Sequence, residues 1–188
     1  PADRPVPEFD PVQARAMDKR DIGQMQDWFR AAVKRAVKAG VDIINISSQY
    51  SSVAFHLLSR RNRRNDEYGG TLENRARLLR DLIEIAREAA KGDVAVTLRV
   101  IIEELIGARG LNAHEDGKEM IEHLAELPDL WDVLIGTWEG DSPSSRFAGE
   151  NVHEPYFNFI KSLTTKPVVG VGRFTSPDTM VSLVNRGI

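Results

Sequence analysis

Apolar residues recur along the chain in two alternating patterns, one with helical spacing and one nearly continuous. Asp18 is a candidate helix cap, and after it apolar side chains recur three or four residues apart until Gly40, as on one face of an amphipathic helix. The run 41–46 is short, mostly apolar and rich in β-branched residues. This second pattern predicts a buried parallel strand.

The same cycle repeats to the end of the chain. Further helices are predicted from Thr71, from Asn112, near 153–163 and from Ser176. Asn112, with Glu115 three residues on, resembles a capping box, and Pro177 suits a first helical position. Further strands are predicted at 94–100, 131–136 and 167–171. Strands that alternate with helices in this way predict a parallel sheet with right-handed crossovers.

Four βα units preceded by a helix predict an α/β protein, either half of an eightfold barrel or a small open sheet. Residues 1–17 contain four prolines and little periodicity, which predicts an extended N-terminal arm before a partial TIM barrel at 18–188. The loops 47–70, 101–111 and 137–151 exceed the usual length of about 4–6 residues. In a βα-barrel such loops lie at the catalytic edge.

Composition excludes several classes of protein and site. The 188 residues carry a formal net charge of −3, without the clustered positive excess that nucleic-acid binding requires. No apolar run approaches the roughly 20 residues that span a bilayer. The absence of cysteine excludes disulfides and any cysteine-ligated zinc or iron–sulfur cluster within this chain, and fits a reducing compartment. The four histidines show no metal-ligand spacing, so no metal site is expected.

The segment 59–79 carries a long motif. From Asn62 to Arg75 its core reads Asn-x-Arg-x-Asp-x-Tyr-Gly-Gly-x-x-Glu-Asn-Arg, which resembles the Old Yellow Enzyme family of FMN-dependent barrels. The stretches 129–141 and 166–177 look like its amine dehydrogenase branch, which includes trimethylamine, dimethylamine and histamine dehydrogenases. The resemblance implies strands four to seven of a (β/α)8 barrel, with the other strands outside this chain, and a 4Fe-4S cluster that this chain cannot ligate.

The resemblance also implies three cofactor-binding residues. Arg99 corresponds to an arginine beside the flavin that stabilises negative charge on the ring, whereas Gly172 and Arg173 resemble part of the FMN phosphate site. The alternative for Arg99, a cation in an otherwise apolar strand, is a salt bridge to a neighbouring loop carboxylate. The Gly-Val-Gly triplet that precedes Arg173 alone fits a tight turn.

The other implied residues concern substrate and catalysis. Trp138 resembles part of an aromatic bowl that holds a substrate ammonium by cation–π attraction, and Asp141 resembles a carboxylate near the reacting amine; alone, the pair fits a surface turn. Ser47, a candidate substrate-binding residue, and Tyr50, a candidate catalytic residue, stand where the family usually carries an aromatic residue and a histidine. A tyrosine donates a hydrogen bond but is a poor base at neutral pH.

These resemblances imply an FMN-dependent oxidoreductase that takes a hydride equivalent from a small alkylamine. Two alternatives stay open, an ene-reductase of the dienoyl-CoA reductase type and a non-catalytic half-barrel fragment or scaffold. Because a half barrel leaves two unpaired strand edges, we expect a homo-oligomer or the remainder of a parent barrel as partner. We expect no nucleic-acid or membrane partner, and a cytoplasmic location.

Overall fold

The computed structural model describes residues 15–50, 52–138 and 147–188. Its helices are α1 (Lys19–Lys38), α2 (Val53–Leu58), α3 (Leu72–Ala90), α4 (Lys118–Leu124), α5 (Glu154–Lys161) and α6 (Pro177–Asn185). Its strands are β1 (Ile43–Ser48), β2 (Ala95–Glu103), β3 (Leu130–Ile135) and β4 (Val168–Val169). The strands pair in parallel in the order β1-β2-β3-β4. Each pair of successive strands is therefore joined by a crossover through helices, as predicted.

Side-chain caps begin the two long helices where the sequence predicts them. The Asp21 amide donates to the Asp18 carboxylate over 2.8 Å, and the Asp18 amide donates to the Asp21 carboxylate over 2.9 Å. At α3, the Thr71 hydroxyl accepts a hydrogen bond from the Asn74 amide at 3.3 Å. Such bonds satisfy amides that have no partner inside a helix.

The hydrophobic core lies between the sheet and its helices. On this outer face, side chains of β2 and β3 pack with the apolar side of α3, and all are nearly inaccessible to solvent: Val96, Leu98, Val100, Trp131, Val133, Leu79 and Ile83. The opposite, inner face is open on β1 and β4, where Ile43 is 55% and Val169 42% exposed. The inner face is the one that lines the interior of a barrel.

Several predicted details are wrong. β1 begins two residues later than the apolar run, and β4 has two residues rather than five. Helix α2 lies inside the loop 47–70, where no element was predicted. Asn112 opens a π-helical turn over Ala113–Gly117, and its backbone amide donates to the Asp116 carboxylate rather than to Glu115. The wider π-helical turn brings the residue four positions on, rather than three, back to the cap.

The motif between Asn62 and Arg75 organises the entry to α3. The Asn62 side-chain Nδ2 donates to the backbone carbonyls of Leu57 and Tyr68 over 2.7 and 2.6 Å. Arg75 donates to Asp116 over 3.0 Å, a contact that ties α3 to the turn before α4. These bonds hold backbone and loops, so they give the motif a structural role.

Two further expectations concern the N-terminal arm and the absence of a helix that spans a membrane. Most of the predicted N-terminal arm, residues 1–14, lies outside the described residues. The part of the arm that is described, residues 15–17, has no regular secondary structure. Within the described ranges, every helix is too short or too polar to cross a membrane.

Candidate functional site

The candidate site lies on the inner face of the sheet, and its further candidate residues lie on the loops that follow β1, β3 and β4. The strand register places Ser47 of β1 beside Arg99 of β2, Arg99 beside Asp132 of β3, and Asp132 beside Val169 of β4. Because Cα partners in adjacent parallel strands point to the same face, these four side chains form one row. We call it the inner row.

Arg99 and Asp132 are the charged members of the inner row. The Arg99 Nε lies 3.6 Å from the Asp132 Oδ2, within ion-pair range but long for a hydrogen bond. The Arg99 side chain is 40% exposed and that of Asp132 14% exposed. Burial raises the pKa of Asp132 above its ordinary value, and the positive charge of Arg99 opposes that rise. The salt bridge that the residues alone suggested for Arg99 is thus present, to a strand carboxylate rather than to a loop one.

A pair of aromatic rings lies on the loops that follow β1 and β3. The rings of Tyr50 and Trp138 meet edge to face, with centroids 5.3 Å apart and planes at 81°. Tyr50 has a left-handed backbone conformation, with φ 46°, and Trp138 is 54% exposed. Two loops far apart in sequence therefore bring together two of the candidate residues, and the exposed Trp138 face is open to a ligand. Asp141 lies outside the described residues.

The Gly-Val-Gly-Arg segment after β4 is held by the loop before α5. Gly172 is buried, its carbonyl accepts a hydrogen bond from the Asn151 amide at 2.7 Å, and a Cβ there would lie 3.3 Å from the His153 amide nitrogen. Arg173 has φ 57° and donates from Nη1 to the Ala148 carbonyl over 2.7 Å. The close approach explains a glycine at 172, and the remaining guanidinium nitrogens of the exposed Arg173 are available to an anion.

The two halves of the implied cofactor site lie apart on the sheet. Arg99 is on β2 and Arg173 follows β4, two strands away, which corresponds to roughly 10 Å across a sheet. The amides of Thr175 and Ser176 point to the Glu150 carboxylate, each over 2.7 Å. These bonds hold the pKa of Glu150 below its ordinary value. An anion beside β4 would thus meet Gly172 and Arg173 rather than the amides that open α6.

The loop after β2 is organised by two buried carboxylates that sequence reasoning missed. Glu103 accepts hydrogen bonds from the amides of Leu105 and Ala113 at 2.8 and 3.1 Å. Glu104 accepts from the Leu111 amide at 2.9 Å and binds Arg61 at 2.8 Å. Both carboxylates bind backbone or a surface cation, so they fix the loop.

Sequence reasoning also missed Asp132. Its signal was present, since an aspartate within the otherwise apolar strand Leu130–Ile135 is costly to bury without a partner. The register that pairs it with Arg99 was not available from the sequence. Among the described residues no cluster of three or more histidine, aspartate or glutamate side chains could hold a metal ion.

Comparison with known proteins identifies related sequences and structures. A family model described as the NADH:flavin oxidoreductase / NADH oxidase family matches residues 4–187. Dimethylamine dehydrogenase of Hyphomicrobium sp. (strain x) is 35% identical over an alignment of 175 residues, and the match covers 91% of this chain and 24% of that protein.

Two solved structures are similar to the chain. They are the 6-hydroxypseudooxynicotine amine oxidase of Pseudomonas geniculata N1, with TM-score 0.88 and 45% identity, and the histamine dehydrogenase of Rhizobium sp. 4-9, with TM-score 0.86 and 47% identity. Each match covers 95% of this chain but only 27% and 26% of those chains. The chain thus spans about a quarter of the length of these relatives. The predicted partial (β/α)8 barrel is confirmed.

Proposed function

This chain belongs to the NADH:flavin oxidoreductase / NADH oxidase family, an FMN-dependent family, as the match over residues 4–187 shows, and from that premise we propose its function. We propose that the chain is the part of an FMN-dependent oxidoreductase that binds the flavin ring and faces a small amine substrate. The observation that carries the proposal is the inner row, which includes Arg99, together with the Tyr50–Trp138 ring pair on the loops that follow β1 and β3. The similarity to proteins named dimethylamine and histamine dehydrogenase supports the choice of amine.

The residues present fit FMN on two observations. The Arg99 Nε is buried and makes no hydrogen bond to any described residue, so a polar ligand atom at this position satisfies it. A Cβ on Gly172 would lie 3.3 Å from the His153 amide nitrogen, so the backbone is closely packed there, and the exposed Arg173 beside it uses only Nη1 in the hydrogen bond to Ala148, which leaves donors for an anion. Bound FMN would supply the acceptor for the hydride equivalent that the substrate loses. Arg99 would stabilise negative charge on the ring, and Gly172 with Arg173 would hold the phosphate.

Tyr50 and Trp138 hold the substrate in this proposal. An ammonium over an aromatic face is attracted by the ring quadrupole, and the attraction strengthens as water is excluded. The edge-to-face contact fixes the orientation of the Trp138 ring. Ser47, exposed at the end of β1, offers a hydroxyl to the substrate beside Arg99. We assign Asp141 as the carboxylate near the reacting nitrogen and Tyr50 as a hydrogen-bond donor to it.

An anaerobic titration of the flavin-bound protein tests the reaction. Dimethylamine or histamine should bleach the flavin absorbance near 450 nm, because an amine substrate reduces the flavin. Trp138→Ala should raise the amine concentration needed for half bleaching about tenfold or more, from the loss of a partly desolvated cation–π contact. Trp28→Ala is the matched control, because Trp28 is 67% exposed on α1.

The same titration separates the alternatives. Bleaching by NAD(P)H with turnover of an enoyl substrate, and none by amines, supports an ene-reductase of the dienoyl-CoA reductase type. Protein that stays colourless when FMN is added supports the non-catalytic half-barrel.

We propose that a second barrel half covers the inner face, either another copy of this chain or the remainder of a longer barrel. The apolar inner residues Ile43 and Val169 are exposed, and the edges of β1 and β4 pair with no described strand. An apolar groove of about 220 Å³ also opens beside β4 and α6. Light scattering tests this: a stable 21.0 kDa monomer with slow amide exchange on both edge strands would contradict it. We place the protein in the cytoplasm, in line with its lack of cysteine.

A further inference from the structure

Asp132 is a carboxylate in a position where a strand residue ordinarily is apolar. Its neighbours along β3, Trp131 and Val133, are almost completely buried, and its own side chain is 14% exposed. Burying a carboxylate costs free energy unless it meets a positive charge or hydrogen-bond donors. The Arg99 guanidinium, 3.6 Å away, is the positive charge that it meets.

The Arg99–Asp132 pair lies on the face of the sheet to which we assign the flavin. Both residues belong to the inner row, on adjacent strands and at the same level of the sheet. The contact joins Oδ2 to Nε, the guanidinium nitrogen nearest the strand, and the Arg99 side chain is the more exposed partner. Asp132 thus lies beside a side chain that is itself partly open on the inner face.

We infer that Asp132 is the counter-ion of Arg99 and limits the positive charge that the inner row presents to the flavin ring. The inference rests on the proposed function. A lone arginine stabilises the reduced ring, which carries more negative charge, and so raises the reduction potential. With Asp132 ionised beside it, the pair is close to neutral and the potential stays lower. A lower potential favours the transfer of electrons onward once the substrate has been oxidised.

The reduction potential of the bound flavin tests this by charge balance. Asp132→Asn leaves a net positive row and should favour binding of reduced over oxidised flavin by about tenfold, from Coulomb interaction over several ångström. For a two-electron couple this is about 30 mV more positive. Arg99→Gln leaves a net negative row and should lower the potential. The double variant is neutral again and should return close to the wild-type value.

Controls separate charge from structure. Asp132→Glu keeps the negative charge and should therefore shift the potential less than Asp132→Asn does. If the asparagine variant does not fold, the comparison of Arg99→Gln with the wild type still tests the charge balance. Asp129 directly precedes β3, and its carboxylate binds Arg87 and the Val96 backbone amide. Asp129→Asn removes that charge and should leave the potential unchanged. FMN affinity measured on the same variants provides a readout besides activity.

The other outcomes distinguish a failure of this inference from a failure of the proposed function. If Asp132 only anchors Arg99, Asp132→Asn lowers the potential as Arg99→Gln does, and the inference is wrong. A double variant with the potential of Arg99→Gln alone also overturns it, because Asp132 then has no effect. If the wild-type protein binds no FMN, the proposed function fails first. If it binds FMN and Asp132→Asn leaves the potential unchanged, the proposed function stands and the inference fails.

Discussion

The two faces of the four-stranded sheet differ in what covers them. On β1, Ile44 and Ile46 face the helices and are at most 8% exposed, whereas Ile43, one residue before Ile44, is 55% exposed on the inner face. The outer face is completed by this chain's own helices and has a continuous apolar core. The inner face instead carries the ion pair of Arg99 and Asp132, with Ser47 and Val169 exposed on either side of it.

This difference separates the residues that stabilise the fold from those that we assign to function. The outer side chains bury apolar surface, which stabilises the chain at roughly 25 cal/mol per Å². The inner ionic pair is a weak source of stability, because desolvation offsets its attraction. Substitutions on the two faces should therefore have different consequences, the first in unfolding and the second in ligand binding.

The largest expected effect is on the outer face. Trp131 is completely buried and its indole donates to the Ala125 carbonyl over 3.1 Å. Trp131→Ala should lower the free energy of unfolding by about 3–5 kcal/mol, through the cavity and the lost bond. Urea unfolding measures it. The inner-face control, Ile43→Ala, should cost less than about 1 kcal/mol. Equal costs would mean that the inner face is covered in the isolated protein.

A smaller effect is expected at Gly170, directly after β4. A Cβ on Gly170 would lie 2.5 Å from the Phe157 ring, on the outer side. Gly170→Ala should therefore destabilise by about 1–3 kcal/mol through overpacking, as measured by thermal unfolding. Gly149→Ala is the control, because no heavy atom lies within 4 Å of a Cβ there. A neutral Gly170→Ala would show that Phe157 moves aside freely.

The smallest effect concerns pH. The pKa of Glu150 is lowered in the folded protein by the amides of Thr175 and Ser176. A lowered carboxyl pKa contributes stability above its unfolded value, about 4.3, and that stability is lost as pH falls through the folded pKa. The wild type should thus lose more stability than Glu150→Gln between pH 6 and pH 3 in urea unfolding. Parallel pH profiles for the two proteins would contradict this.

The sequence predicted the elements more accurately than the site. Asp18 and Thr71 cap helices as expected because capping depends on residues within one turn. Helix α2 was missed because six residues, Val53–Leu58, are too few to show a helical period.

The site depends on contacts that are distant in sequence. Arg99 and Trp138 could be selected by family resemblance, but the pairing of Arg99 with Asp132 follows from strand register. The contact between Tyr50 and Trp138 joins loops separated by more than eighty residues. Neither is encoded by local spacing, so only the folded structure could reveal them.

An FMN titration followed by flavin fluorescence tests most directly whether the inner face binds the cofactor. The wild-type protein should bind FMN saturably, and Arg99→Gln should weaken binding about tenfold or more, since it removes a charged partner of the ring. Lys34→Gln, which neutralises an exposed cation on α1 outside the sheet, should bind as the wild type does. Saturable binding that Arg99→Gln leaves unchanged, or no binding by the wild type, would contradict the assignment of the inner face to the flavin.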